Sequence, residues 1–553
     1  MKTVAILQAR TTSTRLPRKA FLPVAGYPVA VLAALRAGNL GMLTIVATSD
    51  DSSDDELSAV FRSHNVTVYR GPLEDVLRRY YLAASDLSED SAIIRLTGDN
   101  VVPDGDFVEQ FAAAFHASGL EYMTTDSQRL PYGLGAEAFT VKVLRRAHGV
   151  ADSQPDREHV GPWMGRNCQA GKYLPEALGE ADYSHLRCTI DEEDDYRRVL
   201  SLFEGVESPV TVGWFDLMRK LATLPGAPSF RVPDRIAGGR THSEFTLGTA
   251  QLGMDYGIVN QTGKPARADG IAMVRHAIAH GVTHIDTARA YGDSEEVLGA
   301  ALTGGWRSRA EVVTKLDTLS ALPFDANAGA VRSAVDESVA QSCRRLRTSG
   351  LTTLLLHRWE HRSAWHGAVW GRLLEMRESG VIGSLGASVS EPREALEALH
   401  DPLVQHLQIP MNVLDWRWKA SGVERATFER PEVVVHTRSP FLQGILLNPA
   451  RTWPVTDYDV EGCVRGLGDL VRKFERLNLA DLCLAYLRGQ AWITSIVVGC
   501  DTLAQMHGNL ECFRGPRLTM EQCAEVERSL LRAPDNLLNP AKWKAHHEQH
   551  ALR

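Results

Sequence analysis

The sequence predicts an α/β protein in two parts: a mainly parallel αβα sheet followed by a closed (β/α)8 barrel. Three observations carry that prediction. Short apolar runs alternate with helix-like sequence through residues 1–220. The alternation restarts beyond residue 245, with eight such runs. Between them, residues 222–244 carry three prolines and a Gly-Gly pair and little apolar periodicity. A chain of 553 residues is too long for one ordinary core. Two domains, 1–221 and 245–553, joined by a linker over 222–244, are therefore expected.

In the first part, Val4–Leu7, Leu43–Ala47, Val66–Tyr69 and Ala92–Leu96 read as strands. Val29–Ala37, Asp54–Ser63 and Leu73–Ala84 read as helices between and after them. That βαβ order implies a mainly parallel sheet with helices on both faces. In the second part, strands are expected near 245–249, 283–286, 310–314, 352–356, 382–386, 404–408, 432–437 and 494–498. Eight strands with intervening helices suit a closed barrel, whose active sites are built at the C-terminal ends of the strands. The tail W-K-A-H-H-E-Q-H-A-L-R holds three histidines and reads as a solvated helix end rather than a metal site.

Hydrophobic residues make up 44% and charged residues 23%, ordinary values for a soluble globular protein. A net charge of −8 gives no broad attraction to nucleic acid or anionic membrane, though a local basic site for phosphates stays open. No apolar run is long enough to span a bilayer. The first residues, M-K-T-V-A-I-L-Q-A-R, read as a strand entering a polar loop, not as a signal peptide. Eight cysteines without a C-x-x-C pair read as buried small residues in a reducing cytoplasm. Composition leaves monomer and homodimer both open.

The first chemical feature is the loop Q-A-R-T-T-S-T-R-L-P-R-K, Gln8 to Lys19, directly after the first strand. Small polar residues such as Ser13 let backbone N–H groups approach an anion, and Arg10, Arg15 and Lys19 supply positive charge. That combination suits a nucleoside triphosphate; a basic surface loop reads equally well on composition alone. It is not a P-loop, because the glycines and the G-K-[ST] ending are missing. Next, I-I-R-L-T-G-D-N places Asp99 just past an apolar strand. A carboxylate there can hold Mg2+ against phosphates, or simply cap a turn. Asp191, in L-R-C-T-I-D, follows a second strand-like run and is the other candidate.

In the second part, four residues follow or end apolar runs: Asp286 and Tyr291 in H-I-D-T-A-R-A-Y-G, Lys315 in V-V-T-K, and His357 in L-L-L-H. Alone, each has an ordinary reading: a strand-end cap, a packing tyrosine, a solvated lysine, a satisfied core histidine. Together at one barrel rim they make a proton donor and its tuning groups. A free tyrosine has a pKa near 10, and a nearby ammonium favours the phenolate form. Tyr291 is the expected general acid. Asp286 is expected to hold Lys315, and His357 to orient a carbonyl or share the proton.

These motifs carry two resemblances. Residues 1–220 resemble the spore-coat-polysaccharide-type cytidylyltransferases, relatives of the CMP-sialate and CMP-Kdo synthetases. The matching segments are Q-A-R-T-T-S-T-R-L-P-R-K, V-A-T-S-D, G-P-L-E-D-V-L-R-R-Y, I-R-L-T-G-D, R-E-H-V and H-L-R-C-T-I-D. The resemblance implies CTP and a sugar or sugar-acid acceptor, with Arg10, Ser13, Arg15 and Lys19 at the triphosphate and Mg2+ at Asp99 and Asp191. It also implies Thr48, Ser49, Asp75 and Arg95 near the nucleotide and Glu137 near the acceptor. The sequence departs from the family in P-Y-G-L-G-A-E-A-F, where Gly135 replaces an Asp, and in Asn100-Val101, which replaces Cys-Pro. Those changes bear on the acceptor rather than on the type of reaction.

Residues from about 245 to 535 resemble the aldo-keto reductases, which are TIM barrels. The matching segments are L-G-T-A-Q-L-G-M-D-Y-G, H-I-D-T-A-R-A-Y-G, V-V-T-K, L-L-L-H, Q-I-P-M-N, R-S-P-F-L-Q-G and I-V-V-G-C-D-T-L-A-Q-M-H-G-N-L. The resemblance implies NADPH across the rim, without a Rossmann domain. Gln408 would lie at the nicotinamide amide, Arg438 and Ser439 near the nicotinamide and pyrophosphate, and Gly499, Gln505 and Asn509 at the adenosine end. Cys500-Asp501 stands where NADPH-preferring members often place Arg or Lys, so NADH is an alternative.

The expectation is a fused bifunctional enzyme: CTP-dependent activation of a sugar or sugar-like acid, and reduction of a small carbonyl substrate in the same pathway. One rival is a reductase making an alditol phosphate that becomes a CDP-alditol. Another is a chain in which one half is catalytically silent and acts as a binding module.

Overall fold

The computed structural model describes residues 2–13, 16–127, 129–224, 230–258, 260, 262–303, 306–448, 453–455 and 457–543. The chain divides into two compact units, Met1–Arg231 and Val232–Arg553.

The first unit is a seven-stranded sheet. Its strands are β1 (Thr3–Gln8), β2 (Thr44–Ser49), β3 (Thr67–Gly71), β4 (Ala92–Thr97), β5 (Tyr122–Thr125), β6 (Glu137–Thr140) and β7 (Ala170–Tyr173). The order across the sheet is β3-β2-β1-β4-β6-β5-β7. All neighbours run parallel except β6, which is antiparallel to both β4 and β5. Central β1 is apolar at consecutive positions Val4, Ala5, Ile6 and Leu7, all buried, because layers cover both faces of the sheet. One layer includes helix α1 (Val29–Ala37), nearly every residue of which is buried. The other includes Leu77 and Tyr80 of helix α2 (Val76–Ala83). The strand-like run before Asp191 is not a strand. Two isolated bridges hold it, Tyr132 with Arg187 beside the 131–135 loop and Asn100 with Thr189 beside the Asp99 turn. Gly133 permits that approach: it has φ +111°, and a Cβ there would stand 2.3 Å from the Thr189 nitrogen.

The second unit is the expected barrel. Its strands are β10 (Phe245–Gly248), β11 (His284–Asp286), β12 (Glu311–Lys315), β13 (Leu351–Leu356), β14 (Ile382–Ser388), β15 (His406–Pro410), β16 (Val434–Arg438) and β17 (Ser495–Gly499). Every pairing is parallel, and β17 closes the ring on β10 with Phe245 opposite Ile496. Ahead of the barrel lies a hairpin of β8 (Asp234–Ala237) and β9 (Arg240–Ser243).

That hairpin corrects part of the linker expectation for 222–244. Helix Trp214–Thr223 runs into the start of that stretch, and the hairpin occupies its end. Arg235 of β8 donates to Glu244 at 2.9 Å and to the carbonyls of Gln490 and Ile493 at 3.0 and 2.8 Å, so the segment is fastened to the barrel. Short polar strands with a Gly-Gly turn carry no long apolar period, which is why the pattern resembled a linker. The tail histidines lie outside the described residues.

Among the described residues, no helix is long and apolar enough to cross a membrane. All eight cysteines are free thiols, six of them buried.

Candidate active sites

The first site forms where β1 and β4 end side by side. The Gly98 nitrogen donates to the Gln8 carbonyl at 2.9 Å, and a Cβ on Gly98 would stand 2.9 Å from that of Ala9. The small residue lets the first loop and the Asp99 turn lie against each other. Beside them is a cavity of about 310 Å3 whose wall includes Arg10, Ser13, Lys19, Arg79, Asp99 and His159. Arg10, Ser13 and Lys19 thus share one wall, as expected. Arg15 lies outside the described residues.

The loop is braced from behind by a residue the sequence reading missed. Asp54 is fully buried and accepts from the Thr11 amide and hydroxyl, both at 2.7 Å, from the Thr48 hydroxyl at 3.1 Å, and from the Ser49 amide and hydroxyl. Burial opposes its charge, but these donors from Ser49 and Thr11 outweigh it and hold its pKa below the usual carboxylate value. This corrects Thr48 and Ser49: both are fully buried and their hydroxyls serve Asp54, not a nucleoside. Asp75 does not line the cavity that holds Arg10 and Ser13. It caps α2, accepting from the Arg78 amide at 2.9 Å, and pairs with Arg157 at 3.5 Å. Arg79, likewise unexpected, is buried and donates to the carbonyls of Pro72 and Leu73, fixing the turn before that helix.

Asp99 and Asp191 converge as the sequence suggested, and Lys19 lies between them. Its Nζ donates to Asp99 Oδ2 at 2.7 Å, Asp191 Oδ1 at 3.0 Å and the Ile190 carbonyl at 3.0 Å. The far oxygen of Asp191 accepts from Arg187 at 2.9 Å. Arg187 also makes a two-pronged bond to Asp195, at 2.6 and 2.8 Å, and Asp195 accepts from the Asp191 amide at 3.1 Å. Arg187 and Asp195 thereby orient Asp191, a role with no local signal beyond the motif H-L-R-C-T-I-D.

A second cavity, of about 510 Å3, lies on the other side of Asp99 and is lined by Arg95, Asn100, Tyr132, Gly135, Glu137 and Asp191, among others. The two cavities share Gln8, Thr97, Asp99 and His159. Glu137 therefore lines the same cavity as Asp99 and Asp191. Arg95, expected near the nucleotide, does not line the first cavity. It pairs with Glu137 at 3.1 Å, donates to Gln8 at 2.9 Å, and lines the second cavity. Gly135 leaves space there, since a Cβ would meet only Thr125 Oγ1, at 4.0 Å.

The second site lies at the C-terminal ends of the barrel strands. Lys315 Nζ donates to both oxygens of Asp286, at 2.7 and 2.8 Å, and to the Thr287 carbonyl at 2.9 Å. Burial opposes the ammonium, but Asp286 outweighs it and the Lys315 pKa is raised. The same Nζ lies 5.0 Å from the centre of the Tyr291 ring. His357 meets Tyr291 edge-on, with ring centres 6.1 Å apart. Burial and the nearby Lys315 lower the His357 pKa to about 3, so the imidazole is neutral at physiological pH. All four residues predicted from the sequence are brought together.

Tyr291 is positioned by two close approaches. A Cβ on Gly253 would overlap the Tyr291 carbonyl, and one on Gly292, at φ +55°, would overlap the Gly253 carbonyl. Behind the loop, buried Ser294 donates to Thr249, whose hydroxyl donates to the Asp286 carbonyl at 2.8 Å.

A cavity of about 360 Å3 runs from Tyr291 and Asp286 past Arg438 and Ser439 to Gly499, Gln505 and Asn509. Arg438, Ser439, Gly499, Gln505 and Asn509 thus line one trough, as expected. Gln408 does not line it. Fully buried, it donates to Asp286 at 2.6 Å and accepts from Ser388 at 3.2 Å, so here it supports the carboxylate. The trough also includes Gln251, Tyr256 and Asn260, to which the sequence assigns no contact, and Asp501, on which the expected choice between NADPH and NADH turns. Asp501 accepts from Asn260 at 3.2 Å and from Gln505 at 3.4 Å.

Comparison with known proteins gives two family matches. The model of the aldo/keto reductase family matches residues 244–530. The cytidylyltransferase model matches residues 4–194. An uncharacterized protein of Methanocaldococcus jannaschii is 32% identical over 208 residues, which are 36% of this chain and 83% of that protein. The spore coat polysaccharide biosynthesis protein SpsF of Bacillus subtilis is 29% identical over 243 residues, 41% of this chain and 98% of its own length. Protein tas of Escherichia coli is 24% identical over 336 residues, 52% of this chain and 95% of its own length.

Proposed function

The chain belongs to the aldo/keto reductase family through its C-terminal half and carries a cytidylyltransferase domain ahead of it; from that premise we propose that it couples CTP-dependent nucleotidyl transfer to a sugar or sugar-like acid with NAD(P)H-dependent reduction of a carbonyl in the same pathway. The observation that carries the transfer reading is the meeting of a basic cavity and a polar cavity at one carboxylate, Asp99. An acceptor oxygen lying beside Glu137 and Asn100 would attack the α-phosphorus of CTP. The bond to the β-phosphate oxygen breaks and pyrophosphate leaves. Arg10 and Lys19 would bear the negative charge that grows on the leaving phosphates. Asp99 and Asp191 offer two converging carboxylate oxygens, a donor set that fits Mg2+, which usually takes one or two protein carboxylates. Mg2+ there would supply charge neutralisation at the phosphates.

The reductase reading rests on Tyr291, Lys315, Asp286 and His357. A reduced nicotinamide in the trough would supply hydride to the carbonyl carbon. Tyr291 then gives its phenolic proton to the carbonyl oxygen, and the Lys315 ammonium stabilises the phenolate left behind. Neutral His357 can donate a hydrogen bond to the same oxygen without competing as an acid. The family resemblance favours NADPH, but Asp501 supports NADH. A carboxylate accepts from a ribose hydroxyl and repels a 2′-phosphate.

The test is pyrophosphate release. The full chain is incubated with each nucleoside triphosphate, magnesium and a panel of sugar acids and sugar phosphates. Release with CTP and one acceptor class supports the proposal. No release with any pair overturns the transfer half.

A further inference from the structure

The phosphate role proposed for Lys19 does not explain where its ammonium lies. Its place in the basic loop suits phosphate binding, yet its ammonium points at carboxylates. All three of its partners, Asp99 Oδ2, Asp191 Oδ1 and the Ile190 carbonyl, are oxygens, at 2.7, 3.0 and 3.0 Å. Three converging oxygens, two of them anionic, are the ligands a hard divalent cation would choose. The ammonium thus sits where such an ion would bind. Arg187 already compensates the far side of Asp191. Arg187 is shared with Asp195, so it is Lys19 that occupies the two oxygens a metal ion would take, Asp99 Oδ2 and Asp191 Oδ1.

The side chain has somewhere else to go. Lys19 opens a short turn, Lys19–Phe21, and also lines the cavity that holds Arg10 and Ser13. Its four-carbon stem can carry the ammonium from the carboxylates to a triphosphate in that cavity by side-chain rotation alone. A dication and an ammonium cannot share one set of oxygens, since like charges at such distances repel strongly. Entry of the metal and departure of the lysine are therefore one event.

We propose that Lys19 is an internal cation that closes the Asp99–Asp191 pair to divalent metal until a bound triphosphate draws the ammonium away. This inference rests on reading the first unit as a CTP-dependent transferase. It assigns Lys19 a positioning role: it makes metal and nucleotide bind together, and it keeps the two carboxylates from facing the incoming phosphates bare. The competing account is a permanent strut, with Lys19 simply tying the Ile190–Asp191 segment to the end of β4.

The test uses Mn2+ as the probe on the full chain, with free Mn2+ read by electron paramagnetic resonance. Wild-type protein is expected to bind Mn2+ tightly only when CTP is present. Lys19→Met is expected to bind one Mn2+ without nucleotide, at least about ten-fold more tightly than wild type, because the competing cation is gone. Adding Asp99→Asn to Lys19→Met should abolish that gain, and Lys19→Arg should remain closed. Lys19→Met leaves two carboxylates face to face and could lose its fold, so Lys19→Gln is measured alongside, and melting is followed with and without Mn2+. Recovery of melting temperature on adding Mn2+ to either variant supports the proposal. Nucleotide-free binding that is equally tight in wild type and variants overturns it. CTP-dependent binding in wild type with no nucleotide-free gain in either variant also overturns it, and leaves the transferase reading standing. Absence of CTP-dependent binding in wild type removes both.

Discussion

The Lys315 ammonium lies 2.7 Å from Asp286 Oδ1, and both side chains are buried. The pair can therefore be broken at a cost to the fold, whereas Tyr291 beside it can be changed at little cost. Tyr291→Phe should lower carbonyl reduction by about a hundred- to ten-thousand-fold while leaving coenzyme affinity and melting temperature near wild type. Lys315→Met should lower reduction as well, and destabilise the barrel by about 3–5 kcal/mol by leaving Asp286 unpaired. Steady-state rates, coenzyme fluorescence titration and thermal melts separate the two. Near-normal turnover of Tyr291→Phe would remove the tyrosine from the chemistry.

At the other site, Asp99→Ala should remove most nucleotidyl transfer, because it deletes one of two carboxylates at the junction of the cavities. Pyrophosphate release at saturating CTP and magnesium is the measurement. Wild-type rates would mean that Asp99 only caps its turn.

Asp501→Arg tests coenzyme choice. Asp501 lies in the trough between Asn260 and Gln505. Replacing its carboxylate with a guanidinium should move relative affinity from NADH toward NADPH by about ten- to a hundred-fold, the scale of one hydrogen bond to a charged group. Calorimetric titration of both coenzymes reads this directly. An unchanged ratio would place the 2′ position elsewhere.

The barrel should be acid-sensitive. His242, His284, His406 and His436 form a buried cluster beneath the active site: the first two stack at 4.3 Å between ring centres, and the last two meet at 4.3 Å. Burial lowers all four pKa values, that of His284 to about 3. Arg240 and Lys315 add to the shift, while Glu311, 3.8 Å from His284, is the nearby carboxylate. With folded pKa values below the unfolded 6.5, the unfolded chain binds more protons as pH falls. Stability should be intact above about pH 6.5 and fall below it, by up to about 5 kcal/mol per pH unit if all four contribute fully. Melting of the barrel between pH 8 and pH 5 measures the slope, and His436→Leu should flatten it by about a quarter. A flat wild-type profile over that range would contradict the account.

The two units should fold separately if the cut respects the hairpin. Pieces spanning 1–231 and 232–553 follow the observed division. The first should bind CTP with magnesium and the second a reduced nicotinamide coenzyme. A piece starting at residue 240 would lose β8 and the Arg235 contacts, and should be less stable than the piece starting at 232. Loss of ligand binding by both longer pieces would show that the units depend on each other.

The sequence by itself determined the two-part α/β architecture, because buried strands must be apolar and their spacing reports the helices between them. It also determined Asp286, Tyr291, Lys315 and His357, since residues at the ends of successive barrel strands are brought to one rim by the closure itself. Only the tertiary structure decided what the polar groups pair with. Thr48 and Ser49 face Asp54, Gln408 faces Asp286, and Arg95 faces Glu137. Lys19 reaches Asp191 across 172 residues. Such pairings depend on which loops meet, and no local period encodes that. The hairpin over 234–243 was hidden for a related reason: its short polar strands are held by Arg235 and the barrel's carbonyls, not by an apolar pattern of their own.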